Sequence, residues 1–502
     1  MANGFAHGNG MRREERWTGK DIADQLRKFY NEKTSTRAIT RLQFAEHFGY
    51  LLFLKLDHER SQRVGRFARK PVAPVDAWPN LVMLSGDALH EKLEALMDEL
   101  GNPAPAERPD RQTASAVFRD AQPWGLNRMA ELTKLIVEEI APYHWSSVPQ
   151  AELGDAFSRM LRECRDDIDL KIETGQTLTP QPVLSAITKV LGVHSGDTVI
   201  DPACGTGSTL VAAYNLMLSQ GGHLPPSALA GADLDAQMCR LATMNILLHT
   251  GRPFSDPAPV QLADTLTRRG TPVMRADLVV APTVAICNPP FKSSGVQPDA
   301  DMRDDFWAYG DFPTNFLQHL AITLPQGARA AVFVPDGVLF GGGAAATVRE
   351  ALLKNCDVHT LLRLPSGLFH RKGVQSNILF FTKSAPKPSG EPATQSLWVY
   401  DARSGIHHTD TGNPVAEDDF DEFLSVCLPE GGFAARDESV SKRFRRYPVE
   451  ELLARPMANL HLMAHIAPEI DDLGDPKDVA LQVAEHLEEA ARHFREVSQT
   501  LP

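Results

Sequence analysis

Long apolar runs are missing from this sequence: none approaches the roughly 20 residues that span a bilayer. The opening stretch, "MANGFAHGNGMRREERW", is polar and glycine-rich, without the apolar core of a signal peptide. No membrane partner is expected, and cytoplasm is the default compartment. Cysteine is sparse and scattered. Cys164, Cys204, Cys239, Cys287, Cys356 and Cys427 include no CxxC pair, which argues against both a disulfide framework and a zinc ribbon. His461 and His465 have the i, i+4 spacing of helical metal ligands. Neither an adjacent glutamate nor a third ligand accompanies them, so no metal is expected. Basic residues are outnumbered: 51 Lys and Arg against 64 Asp and Glu leave a net charge of −13. A chain that holds nucleic acid tightly by itself usually carries the opposite balance, because phosphate contacts dominate affinity.

What is present is an ordinary globular composition, 43% hydrophobic and 23% charged over 502 residues, enough for two or three domains. After a polar N-terminus expected to be disordered (1–16), residues 17–150 read as a helical domain. In "ITRLQFAEHFGYLLFLKLDHER", apolar residues recur at helical spacing from Ile39 to Leu56, and turn-rich stretches such as "GNPAPAERPDRQ" separate the helices. From about Ile187 the pattern changes. Short β-branched runs ("DTVID", "ALAGAD", "APVQLAD", "VAICN", "ARAAVFVP", "VHTLLRL", "SNILFFT") alternate with helical segments, the mark of βαβ units and a mainly parallel sheet. The last two runs lie close enough to form an antiparallel hairpin closing that sheet. A catalytic domain is assigned to 151–435 and a helical, partner-binding region to 436–502. There Asp475 is a candidate N-cap before Pro476, and Ala480, Val483, Leu487, Ala490, Phe494 and Val497 form one apolar stripe.

Four strands in this reading end on polar residues. "TVIDPACGTGSTL" is a strand ending in Asp201, a glycine turn and a helix start, where backbone can approach a ligand closely. It is not a dinucleotide fingerprint, since GxGxxG would need glycine where Leu210 stands, and no Gly-Lys-Ser/Thr of a P-loop occurs. The second strand ends in "AGADLDA", where Asp233, with Asp235 as runner-up, is placed to bond ribose hydroxyls. The third ends at Asp264. The fourth runs into Asn288-Pro289-Pro290-Phe291, a rigid turn that no strand can continue through. Strand C-termini of an open α/β sheet form one rim where ligands bind.

Together these segments resemble the class I S-adenosylmethionine-dependent methyltransferases, and within them the amino-group DNA methyltransferases. "DPACGTG" is similar to their cofactor loop and "NPPF" to their catalytic tetrapeptide for adenine N6. "GQTLTP" preceding the cofactor loop is an order similar to the modification (M) subunit of type I restriction–modification systems. "LATMNILLHT", "VPDGVLFGGG", "LLRLPSGLF" and "GVQSNILFF" extend the match, which is good over about 150–460. Two departures stand out: the family usually has two aromatics where Thr177 and Leu178 stand, and Gly-Phe where Ser208 and Thr209 stand.

The resemblance implies a Rossmann-like α/β fold, with a mainly parallel sheet, an N-terminal helical domain and a C-terminal helical tail. It implies S-adenosyl-L-methionine as cofactor, held by Thr179, Pro180, Asp201, Pro202, Ala203, Gly205, Thr206, Gly207, Asp233, Asp264 and Asn288. Asn288, Pro289, Pro290 and Phe291 would be catalytic, without a metal. The Asn288 side-chain oxygen and Pro289 carbonyl would accept from the two N–H bonds of an adenine amine, and Phe291 would stack on a base flipped from the duplex. Double-stranded DNA, a specificity (S) subunit and, left open, a restriction (R) subunit are the implied partners, in a hetero-oligomer with two copies of this chain. Arg60, Arg63, Arg66 and Arg69, spaced by three near one helix face, and "KRFRRY" are candidate phosphate contacts. Arg63, Arg66, Lys442 and Arg443 are the residues chosen. Two alternatives remain: a catalytically idle, cofactor-binding subunit of a defence complex, and an RNA or protein-glutamine methyltransferase.

Overall fold

The computed structural model describes residues 18–33, 39–63, 70–102, 111–164, 178–221, 224–225, 228–252, 256–267, 281–291, 305–368, 375–385, 390–403, 408 and 413–462. The chain divides into two units, 1–164 with 244–256, and 165–243 with 257–502.

The first unit is helical: α1 (Gly19–Lys33), α2 (Arg41–Ser61), α3 (Ala77–Met83), α4 (Gly86–Gly101), α5 (Gln112–Phe118), α6 (Met129–Lys134) and α7 (Gln150–Glu163). Thr40 starts α2 through a capping box. Its hydroxyl accepts from Gln43 N–H at 3.1 Å, and the Gln43 side chain accepts from Thr40 N–H at 3.0 Å. Because α2 is buried on every side from Phe44 to Asp57, it forms the centre of the unit rather than its surface. Its buried charges are each matched. Glu46 accepts from Tyr50, Lys55 pairs with Glu59 at 3.2 Å, and Asp57 accepts from the main-chain N–H groups of Val72 and Ala73. The helix ends at Ser61. Arg63 therefore lies beyond the helix, exposed, with its guanidinium on the Ser146 carbonyl at 3.3 Å, so the expected helical arginine face does not extend that far. Arg66 and Arg69 lie outside the described residues.

The second unit holds a nine-stranded sheet in the order β3-β2-β1-β4-β5-β7-β6-β8-β9. Its strands are β1 (Val199–Asp201), β2 (Leu229–Asp233), β3 (Val260–Leu262), β4 (Val284–Cys287), β5 (Arg329–Pro335), β6 (Cys356–Arg363), β7 (Ser376–Lys383), β8 (Ser396–Asp401) and β9 (Phe444–Pro448). β3, β2, β1, β4 and β5 are mutually parallel, and β7 runs antiparallel between β5 and β6. The expected antiparallel pair is present, but β8 joins β6 in parallel and β9 closes the edge. Ala285, Cys287, Val332, Val334, Leu379 and Phe381 pack with Leu317, Leu320, Val348 and Leu352 in one buried cluster. Strands covered on both faces have no polar side to show, which is why they read as unbroken apolar runs.

Two boundaries move. α7 belongs to the helical unit, which ends at Cys164 rather than at 150 and also takes in residues 244–256. The region assigned as helical from 436 instead begins with β9 on the sheet edge, followed by a short helix, Val449–Ala454, and a strap to Leu462 that bonds back to the sheet unit. The expected disordered segment 1–16 and the apolar stripe of 480–497 lie outside the described residues. None of the described helices is long and apolar enough to cross a membrane.

Candidate active site

The four parallel strands β3, β2, β1 and β4 deliver their C-terminal ends to one rim. β1 ends in Asp201, which is buried. Its carboxylate accepts from the N–H of Ala203 at 3.0 Å and from the Thr209 hydroxyl in the first turn of the next helix, α8 (Ser208–Ser219). Between them the chain turns through Gly205 and Gly207, at φ +52° and +77°. Both values lie in the left-handed region where a side chain is strained. At Gly207 a Cβ would also meet the Ala242 Cβ at 3.2 Å, whereas at Gly205 it would enter open space. The loop is tied to β2: Cys204 N–H donates to the Ala232 carbonyl, and Gly205 N–H donates to the Asp233 carboxylate, both at 2.9 Å.

Asp233 ends β2 and also accepts from Asp235 N–H at 2.9 Å. Asp235, the runner-up, has a different task. Its carboxylate accepts from Gln237 and Met238 N–H at 2.8 and 3.2 Å, capping the helix Ala236–Thr250. Burial pushes Asp201 up to about 7, against the Thr209 and Ala203 donors, and the charge of Asp233 adds to the rise. Burial likewise raises Asp233 to about 6, and Asp235 adds to it. Cys204 and Cys287 beside them are buried, and burial together with the two carboxylates holds their thiols well above the ordinary range, which makes them poor nucleophiles. Asp264, two residues past β3, is exposed and accepts from Leu266 N–H at 3.1 Å. Thr265 anchors that turn to the loop by donating to the Pro202 carbonyl at 3.0 Å.

β4 delivers Asn288. Its amide nitrogen donates to the Thr179 hydroxyl at 3.0 Å, joining the tetrapeptide to the segment that enters the helix Gln181–Val190 through Pro180. Pro289 is buried, while Pro290 and Phe291 are half-buried. Thr179, Asp201, Asp233 and Asn288 thus share one end of the sheet unit with the glycine loop.

Sequence reasoning missed two features of this rim. Leu234, between the two aspartates, is 69% exposed, an apolar side chain left in the open beside the loop. At the end of β5, Asp336 accepts from Arg363 at 3.0 Å, Asn377 at 2.8 Å and His461 at 3.3 Å. Burial raises the Asp336 carboxyl, but these donors outweigh it and hold the group below its ordinary value. The only hints in the sequence are an aspartate directly after a buried run and an arginine inside another.

Lys442 and Arg443 lie apart from the rim centre. Lys442 is exposed, whereas Arg443 is half-buried and 4.0 Å from Glu422. Both precede β9, five strands from β4 in the sheet order, or about 24 Å at the usual strand spacing. Among the described residues, no group of three or more His, Cys, Asp or Glu could hold a metal.

Residues 150–442 match the family model described as N-6 DNA Methylase. The methylase subunit of the type I restriction enzyme StySPI from Salmonella potsdam is 29% identical over 406 residues, covering 76% of this chain and 72% of the relative. A modification subunit from Vibrio vulnificus YJ016 superposes with a TM-score of 0.64 at 24% identity, covering 89% of this chain and 95% of that one. A chain solved in work on assembly and conformational transition of a type I restriction–modification system gives 0.69 at 22% identity, covering 96% and 98%. The likeness in fold runs through both units.

Proposed function

The chain belongs to the N-6 DNA methylase family, and on that premise we propose that it methylates N6 of adenine in duplex DNA at the rim around Asn288, as one subunit of a restriction–modification complex. The observation that carries this reading is the junction of Asn288 with Thr179 at 3.0 Å, on the strand next to the one that bears the Asp201 glycine loop. The Asn288 amide nitrogen donates to Thr179, and its carbonyl oxygen is the acceptor atom of the same side chain. That oxygen and the Pro289 carbonyl, stiffened by two prolines, are acceptors for the two N–H bonds of an adenine amine. Such acceptors favour a pyramidal nitrogen with its lone pair freed from the ring. Phe291 offers a face on which the extruded base can stack.

The residues fit S-adenosylmethionine. Gly205 leaves open space above the loop, and two carboxyls sit where burial makes their ionised forms costly, a setting that a cationic, hydroxyl-bearing ligand relieves. Thr179, Pro180, Asp201, Pro202, Ala203, Gly205, Thr206 and Gly207 would line its methionine end, and Asp233, Leu234 and Asp264 its nucleoside end. When bound, it supplies an activated methyl group on a sulfonium. Asp233 would hold ribose hydroxyls while keeping the loop in place through Gly205.

With a net charge of −13, this chain leaves most phosphate contacts and the base readout to a separate, basic specificity subunit, and two copies per complex would serve the two strands of a site. Lys442 is the better of the two phosphate candidates before β9, because Arg443 already faces Glu422. Sequencing host DNA for N6-methyladenine, with and without this gene and its neighbours, tests the proposal. Loss of methylation at one recurring site on deletion, restored by the gene, supports it. An unchanged methylation pattern contradicts it.

A further inference from the structure

The end of β5, the strand beside β4, carries a second surface on the same rim. β5 passes directly into the short helix Asp336–Phe340, and Gly341-Gly342-Gly343 then leads into the helix Ala344–Asn355. Three large apolar side chains stand exposed around these glycines: Phe340 at 40%, Tyr309 at 42% and Met457 at 56%. The contacts that gather them are specific. A Cβ on Gly342 would lie 3.3 Å from the Met457 sulfur, and one on Gly310, next to Tyr309, would lie 3.3 Å from the Ala344 Cβ. Phe340 meets His461 edge-on at 5.3 Å between ring centres.

This surface is held stiffly. Arg349, almost wholly buried, donates to four main-chain carbonyls: Val338 at 2.6 Å, Gly341 at 2.7 Å, Met457 at 2.7 Å and Ala458 at 3.1 Å. It binds the glycine turn and the C-terminal strap together. Met457 and Ala458 both sit at positive φ, +56° and +47°, an uncommon conformation for residues with side chains. Leu460 N–H on the Leu339 carbonyl at 2.8 Å and His461 on Asp336 extend the fastening. A backbone held off its preferred conformation, carrying an apolar side chain into water, is expected where a partner meets it.

We propose that Met457 and Phe340 form an apolar wedge that contacts the base stack of duplex DNA around the extruded adenine, steadying the open duplex while Phe291 receives the base. The inference rests on the methyltransferase reading above. Bases rather than phosphates are the fitting partner, because the presented groups are apolar and aromatic and lie on glycine backbone that permits close approach. The surface is also continuous, through adjacent strands β4 and β5, with the tetrapeptide that must receive the base.

The test uses the DNA-methylating complex on duplexes bearing its recognised site, with the target adenine either paired or opposite an abasic position. Met457→Ala and Phe340→Ala should slow methyl transfer to paired duplex by about tenfold or more, but less than about threefold on the abasic duplex, where extrusion is already cheap. 2-Aminopurine at the target should show reduced extrusion fluorescence in the paired duplex. The dependence of binding on salt should be unchanged, since no phosphate contact is lost. Met457→Gly relieves the left-handed backbone, so its melting temperature should not fall while its transfer rate does. Equal losses on both duplexes, or no loss on either, would overturn the wedge. So would failure of the variants to assemble on gel filtration, which would make this surface a protein-docking face. A wild-type complex silent on every duplex would bring down the methyltransferase reading, and the wedge with it.

Discussion

Replacing Thr209 with Val tests how the glycine loop after β1 is held. The substitution keeps the shape of the side chain and removes the hydroxyl that donates to the buried Asp201 carboxylate. Asp201 stands at about 7 in the folded chain against an ordinary 3.8, so between those values the folded state binds the extra proton. Stability from this group is therefore fully present below pH 3.8 and is lost as pH rises through about 7, by about 4 kcal/mol at 1.36 kcal/mol per pH unit. Removing a donor to the ionised form raises Asp201 further. At pH 8 the variant should lose about 1.5–3 kcal/mol, the size of a hydrogen bond to a charged group. At pH 5, where the carboxyl is protonated in both proteins, only about 0.5–1.5 kcal/mol should go. Denaturant midpoints followed by tryptophan emission at the two pH values measure the difference. Thr209→Ser should restore the wild-type curve, and Asp201→Asn should flatten the pH dependence. A Thr209→Val deficit that is the same at pH 5 and pH 8 would refute the coupling of this hydroxyl to an ionising Asp201.

Asp233→Ala should raise the cofactor dissociation constant about ten- to a hundredfold in a calorimetric titration, because the proposed ribose contacts and the Gly205 anchor would go together. Asp235→Ala should instead cost about 1 kcal/mol of stability as a lost helix cap and leave cofactor affinity near wild type. The reverse pattern would exchange their roles. Phe291→Ala should impair methylation of fully paired DNA more than of DNA mismatched at the target, measured as initial rates, and equal impairment would remove it from base capture. Truncation after Gly474 should abolish assembly with a specificity subunit on gel filtration while the remaining chain still binds cofactor. Intact assembly would place the docking element elsewhere.

Much of the sheet was legible because its parallel strands are buried on both faces and end in polar residues. "VAICN" and "ALAGAD" could be placed from those two features alone. β9 was not legible as a strand. Phe444 is buried, but Arg445 and Arg446 are exposed on an edge, so "FRRYP" reads as a charge cluster. β8 was hidden for a related reason: its pairing with β6 is a long-range event with no local turn signal to announce it. Asp201, Asp233 and Asn288 declared themselves by position. The bond between Thr179 and Asn288 spans more than a hundred residues, and the bonds of Arg349 and His461 to distant segments likewise depend on the fold alone. Thr209 was visible only as a departure from a family pattern, and its bond to Asp201 gives that departure a physical role.

The central claim is that Asn288 acts on the adenine amine rather than on the cofactor or the fold. Asn288→Ala, assayed for methyl transfer and cofactor binding on the same preparation, tests it most directly. Transfer should fall by about 10²–10³ or more, as when one fixed hydrogen-bond partner of a reacting group is removed. The cofactor dissociation constant should stay within about threefold, and the melting temperature close to wild type, since Asn288 is half-buried and its bond to Thr179 joins two neutral groups. Full transfer by the variant, or a loss of transfer matched by an equal loss of cofactor binding, would contradict the account.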